Sequence, residues 1–166
     1  HDVLIEAFNQ AFQDEDKVEL WMLNHNPFLN SQEHSVWVNL YKNSKLGHKI
    51  KIIPRLNAHK DVAKLIALSD CGVFPSRAEG WNNEIPECFA INKPVIATNY
   101  SAHTEYCNQN NCFLIDIDNL TEANDGKFFK GFGNWADFDE IKIDELAEKM
   151  RYVYKNNIRT NPGGLE

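Results

Sequence analysis

The chain has 166 residues, 43% hydrophobic and 25% charged, which fits one globular domain with a sizeable core and excludes a disordered or fibrous class. A net charge of −7, with 17 Lys and Arg scattered among 24 Asp and Glu, excludes the basic stripe that nucleic-acid binding needs. No apolar run approaches the roughly 20 residues of a membrane span and no signal segment opens the sequence, so a cytoplasmic protein is expected.

Residues 2–13 set Val3, Leu4, Ala7, Phe8, Ala11 and Phe12 on one helical face. "VELWMLN", 18–24, is a short apolar run and reads as a buried strand. Asn30-Ser31-Gln32-Glu33 is a capping box, predicting a helix whose inner face is Val36, Trp37, Leu40 and Tyr41. Strand and helix then alternate: "HKIKIIP" strand, "KDVAKLIALS" helix, "CGVFPS" strand, "NEIPECFAIN" helix, "PVIATN" strand, "AHTEYC" short helix, "CFLID" strand. Short apolar strands separated by helices are what a parallel sheet covered on both faces requires, since each crossover must return the chain to the same end of the sheet. The fold class is therefore α/β, doubly wound and Rossmann-like, with a mostly parallel sheet. The stretch 116–140 breaks the rhythm and is expected to be a long loop pinned by Phe128, Phe129 and Trp135. A last helix follows on Ile143, Leu146, Ala147, Met150, Val153 and Tyr154. The domain is placed at residues 1–157, with 158–166 as a tail and Leu165-Glu166 as a vector scar.

Cys71, Cys88, Cys107 and Cys112 form no CxxC pair and the six histidines sit in no ligand spacing, so reduced thiols and no structural metal are expected. No GxGxxG follows any predicted strand, which argues against a dinucleotide-binding dehydrogenase.

In a doubly wound sheet, ligands bind beyond the carboxyl ends of the strands, where helix N-termini offer free amides to anions. "SRAEGWNNEIPE", 76–87, leaves such a strand end and enters a helix, with Asn82 and Asn83 as candidate caps and Pro86 in the first turn. Gly80 allows close backbone approach, and the amides of residues 80–83 suit a diphosphate or a sugar hydroxyl. Glu79 and Glu87, with seven residues between them, flank this cradle. Each carboxylate can accept two hydrogen bonds from vicinal hydroxyls, and a molecule with diols at both ends and a diphosphate between them is a nucleotide sugar. Acids in a helix's first turn are also favoured by the dipole alone, and solvated glutamates remain the alternative. His103 reads as a cap or packing residue more than as a general base, and Trp81 either stacks on a sugar or covers the loop.

"EGWNNEIPE" resembles the E-x7-E motif of retaining glycosyltransferases of family 4, the glycosyl transferases group 1. "DVLIEAF", "ALSDCGVFPSRAEGW", "PVIATNYSAHTEYC" and "KIDELAEKMRYVYKN" resemble successive segments of that family's C-terminal domain, in the same order. The resemblance implies one half of a two-domain GT-B enzyme that transfers a sugar from a nucleotide-diphosphate donor to an unidentified acceptor without a metal or other cofactor, as in polysaccharide biosynthesis. It implies Glu79 as the catalytic carboxylate at the donor sugar, Glu87 at the ribose, and Gly80, Trp81, Asn82 and Asn83 along the sugar and phosphates. Arg55 and Leu56 in "IPRLN" resemble the residues beside the base. The acceptor, and any peripheral membrane contact, would belong to an N-terminal domain outside this sequence, so the isolated chain is expected to be inactive. The family's first strand, central in the sheet, and the phosphate-binding Arg and Lys that follow it lie before "DVLIEAF". Asn82-Asn83-Glu84 replace the family's usual Gly and aliphatic residues, a bulkier polar loop. The competing expectation is a non-catalytic nucleotide-binding or scaffold partner that keeps the half-fold.

Overall fold

A computed structural model describes residues 1–163. Helix α1 (Asp2–Ala11) leads to strand β1 (Leu20–Met22), helix α2 (Ser31–Asn43), a 3-10 turn and strand β2 (Ile50–Ile52). Then come α3 (His59–Leu68), β3 (Gly72–Phe74), α4 (Glu84–Ala90), β4 (Val95–Asn99), a 3-10 turn at Ser101–Glu105 and β5 (Phe113–Asp116). A hairpin of β6 (Leu120–Asn124) and β7 (Lys130–Ala136) precedes α5 (Glu140–Lys155). Leu165 and Glu166, read above as a vector scar, lie outside the described residues. Residues 158–161 are tied to the domain: Asn161 donates its backbone N–H to Asn92 O (3.0 Å) and its Nδ2 to Asn111 O (2.9 Å).

The α/β alternation folds as expected into parallel strands flanked by helices, but among the described residues the ladder is in two pieces. β1 and β2 pair in parallel, Trp21 opposite Lys51, while β3, β4 and β5 form a second parallel sheet in that order. Successive residues of β4 point to opposite faces and both faces are dry: Ile96 belongs to one apolar cluster, Val95 and Ala97 to another. The first cluster joins the stripe Val3, Leu4, Ala7 and Phe8 of α1 to Ile143, Leu146, Ala147 and Met150 of α5. The second sets Ile85 and Cys88 of α4 against Val95 and Ala97. Helices thus lie on both sides of the sheet, and the loops leaving β3 and β4 meet at one end.

Two expectations are corrected. The capping box of α2 forms, with Glu33 N–H donating to Asn30 Oδ1 and Asn30 N–H donating to Glu33 Oε2, both at 2.9 Å. Its inner face does not: Val36 is 64% and Leu40 40% exposed, because α2 turns only Tyr41 and part of Trp37 inward, onto the His1 ring. Residues 116–140 are not a plain loop, since β6 and β7 pair antiparallel across a five-residue turn. Asp125 Oδ1 accepts the amides of Lys127, Phe128 and Phe129, and Gly126 takes φ +73°, so Asp-Gly supplies the reversal. Phe129 and Trp135 do pack edge to face across it, 5.3 Å apart, while Phe128 meets Phe28 at 6.1 Å.

Candidate functional site

β3 and β4 are adjacent parallel strands, so their outgoing loops, 75–83 and 100–106, emerge side by side at the carboxyl end. The first carries Glu79 and the second clamps it. Glu79 N–H donates to Ser101 Oγ at 2.7 Å, and the same hydroxyl donates back to Glu79 O at 2.9 Å. Ser76 Oγ donates to Glu79 Oε1 at 2.8 Å, so the carboxylate of this exposed residue is held from within its own loop.

Two non-glycine residues here sit in the left-handed region: Asn82 at φ +66° and Ser101 at φ +54°. Asn82 does not cap α4. Asn83 takes the cap position but its side chain accepts no helix amide, so the expected capping is not observed. Asn82 instead sends Nδ2 to His103 Nε2 at 3.1 Å. His103 is fully buried and its Nδ1 lies 3.0 Å from Thr98 O, a carbonyl that can only accept. The proton therefore belongs on Nδ1, and Nε2 offers its lone pair to Asn82. Burial lowers the His103 pKa below the ordinary imidazole value, outweighing Thr98 and Glu79, which raise it.

Tyr106 completes the clamp. Its hydroxyl donates to Trp81 O, with Asn82 O also in reach at 3.3 Å, and its ring packs 5.0 Å from the indole of Trp81. Burial pushes the phenol up to about 12, so it remains a donor at neutral pH. Trp81 stays 49% exposed above it.

A cavity of about 1370 Å³ opens at this end, with Arg77, Glu79, Asn82 and Glu84 on its wall. Arg77 is anchored by Nη1 to Ala136 O (3.3 Å) and lies 4.0 Å from the Asp2 carboxylate. Glu87 is half-buried one helical turn beyond Glu84, with which it shares a helix side, but it does not line the cavity. Gly80, Trp81 and Asn83 are exposed on the loop outside the wall. Arg55 is exposed and Leu56 half-buried past the end of β2, and neither joins the residues around Glu79. Seven residues give α4 about two turns, so its dipole is weak. Among the described residues, no group of three or more His, Cys, Asp and Glu side chains is placed to hold a metal ion, and the four cysteines are free thiols.

Sequence reading passed over Arg77, Ser101 and Tyr106. The signal for the last two is "YSAHTEY" directly after an apolar strand, a polar turn at the same sheet end as the glutamate loop.

Residues 1–125 match the family model described as Glycosyl transferases group 1. The chain belongs to this family. The fold of this group 1 chain is similar to the crystal structure of a glycosyltransferase from Rickettsia africae ESF-5, with a TM-score of 0.56 and 20% identity over 98% of this chain and 40% of that one. It thus spans about two fifths of the length of that protein. No curated protein matches the sequence. Among the described residues of this group 1 domain, no helix is long and apolar enough to cross a membrane.

Proposed function

We propose that this group 1 chain, over residues 1–157, is the donor-binding half of a retaining glycosyltransferase that moves a sugar, a hexose in the simplest case, from a nucleotide diphosphate to an acceptor held by a separate N-terminal domain. One observation carries the reading: Glu79 stands at the carboxyl end of β3 on a loop clamped through its backbone by Ser101 and Tyr106 and through the Asn82 side chain by His103. A carboxylate fixed in this way meets sugar hydroxyls without first being ordered, which is where preorganised binding gains its advantage.

In this reading Glu79 accepts hydrogen bonds from the donor sugar, and Glu87 accepts them from the ribose as the ligand wraps over α4. The amides of Gly80 to Asn83 face the diphosphate, Trp81 lies against the sugar, and Arg55 with Leu56 borders the base. Arg77 adds a cation on the cavity wall. As the diphosphate departs, negative charge grows on its oxygens, and fixed N–H groups and guanidinium stabilise that charge more than the ground state. The chemistry is electrostatic and needs no proton transfer by His103, whose ring nitrogens are both engaged.

Titration calorimetry of the 166-residue chain with UDP, GDP and ADP, and with their hexose conjugates, tests the proposal. One nucleotide should bind weakly, and Glu79→Gln and Glu87→Gln should each weaken the sugar conjugate about tenfold, matching about 1.4 kcal/mol for a lost charge-assisted bond. No binding by any nucleotide, or no loss in either variant, overturns it. The chain alone should turn over nothing, since the acceptor side is contributed elsewhere.

A non-catalytic nucleotide-binding or scaffold role is favoured by one feature: Glu87 lies outside the cavity that Glu79 lines. That role predicts that Glu79→Gln changes affinity while the full-length protein forms no glycosidic product from any nucleotide sugar.

A further inference from the structure

The β6–β7 hairpin bridges the carboxyl ends of both sheets. Its root is tied to the loops leaving β3 and β4. Ala136 N–H donates to Arg77 O at 2.7 Å, Arg77 Nη1 donates to Ala136 O at 3.3 Å, and the Tyr100 hydroxyl donates to Asn134 O at 3.1 Å. Its tip is tied beyond the end of β1. Lys127 Nζ lies 2.7 Å from Glu33 Oε1 at the start of α2, and the ring of Phe128 lies 6.1 Å from that of Phe28. Fastened at both ends, the hairpin is an arch and not a free arm.

The arch turns two aromatic rings toward the glutamate loop. Phe129 and Trp135 line the same cavity wall as Arg77, Glu79 and Glu84. The hairpin does not need them for its own packing: its buried residues are Ala123 and Ala136, while Phe129 is exposed, Trp135 is half-buried, and neither belongs to either apolar core. The rings meet edge to face, 5.3 Å apart at 69°, and form an angled apolar corner. Two places before Trp135 stands Gly133, where an added Cβ would meet nothing within 4 Å, so the strand leaves open space beside the corner. Corner and carboxylate are fixed to one another twice. Glu79 follows Arg77 by two residues, at most about 7 Å of chain, and the consecutive residues Tyr100 and Ser101 hold Asn134 and Glu79.

We propose that the arch is a sugar platform: the C–H face of the donor's hexose lies in the Phe129–Trp135 corner while its hydroxyls point to Glu79 and Arg77. The proposal rests on the donor-binding reading and adds to it two residues outside the Glu79–Glu87 segment. The chemistry of the wall selects the ligand. Beside the corner, Asp2, Glu79 and Glu84 stand against the single guanidinium of Arg77, so this part of the cavity accepts hydrogen bonds and repels phosphate. A pyranose matches both features, because its ring carbons present an apolar C–H face and its hydroxyls donate from the rim. A nucleobase would cover the rings but brings no hydroxyls to Glu79. Because both ends of the arch are fastened, the corner is in place before the sugar arrives, and little ordering is lost on binding.

Titration calorimetry and saturation-transfer NMR on the 166-residue chain, with UDP, GDP and ADP and with their hexose conjugates, test this. In the native chain the hexose protons of the conjugate that binds should take up saturation. Trp135→Ala and Phe129→Ala should each weaken that conjugate about tenfold and reduce saturation of its hexose protons, while the free nucleotide's affinity changes less than twofold. Trp135→Phe, which keeps a flat ring, should recover most of the loss. Phe132→Ala removes a ring that is 90% exposed and outside the cavity wall, and it should change neither affinity. Unchanged conjugate affinity in both alanine variants, equal losses for nucleotide and conjugate, or the same loss in Phe132→Ala overturns the proposal. A native chain that binds no nucleotide and no conjugate overturns the donor-binding reading and the platform with it; a native chain that binds both, with variants that match it, overturns the platform alone.

Discussion

The buried imidazole of His103 and the side-chain amide of Asn82 meet at 3.1 Å, and the residue so held has a backbone φ of +66°. A left-handed conformation in a non-glycine residue persists only when its surroundings impose it. His103 imposes it here, from a ring locked in one tautomer by Thr98 O. His103→Ala removes the acceptor and leaves a void under the loop, so it should destabilise the domain by about 2–4 kcal/mol. Urea denaturation measures the loss, and a change under 1 kcal/mol would show that the loop keeps its shape without the ring.

The same histidine gives the domain a pH dependence whose sign is fixed by its burial. Its folded pKa is lowered, so between that value and the unfolded value near 6.5 the unfolded chain binds the extra proton. Stability is therefore full above about pH 6.5 and falls as pH drops below it. Asp16, Glu33 and Asp125 have lowered carboxyl pKa values and lose their contributions only below the ordinary carboxylate range. Urea midpoints at pH 8.0 and 5.5 should differ in the native protein and converge in His103→Gln; parallel behaviour of the two proteins would assign the dependence elsewhere.

Ser101 joins a strained backbone to a double hydrogen bond with Glu79. Ser101→Ala deletes both bonds and keeps a side chain at φ +54°; Ser101→Gly deletes both and relieves the conformation. Alanine should cost about 1–2 kcal/mol, and glycine about 1 kcal/mol less than alanine. Equal effects of the two would mean that the turn, not the hydroxyl, sets the geometry.

The parallel class, α1, the capping box of α2, the apolar face of α5 and the glutamate loop were legible because each rests on local periodicity or cap chemistry in "DVLIEAF", Asn30–Glu33, "KIDELAEKM" and "SRAEGW". The β6–β7 hairpin was missed although Asp125-Gly126 announces it, because Gly131, Gly133 and the polar Thr121, Glu122 and Asn134 dilute the period-two pattern that marks a strand. Val36 and Leu40 misled for the opposite reason: helical periodicity names an apolar stripe but not whether a partner covers it. The clamp on the Glu79 loop was illegible in principle, since Ser101 and His103 reach residues 22 and 21 positions away, respectively, through the adjacency of β3 and β4, and short-range pattern carries no such pairing.

Gly80 separates the protein's own needs from those of a ligand. A Cβ built there meets nothing within 4 Å, and its backbone is not in the left-handed region, so neither packing nor a turn requires glycine. Gly80→Ala should leave the urea midpoint unchanged or raise stability by up to about 1 kcal/mol, because alanine narrows the unfolded ensemble. If the amides of residues 80–83 approach the diphosphate of a donor, the added methyl stands in that approach, and nucleotide affinity measured by calorimetry should fall at least tenfold while stability does not. A variant that binds as tightly as the native chain would place the ligand away from this backbone and leave Gly80 without a role in the site.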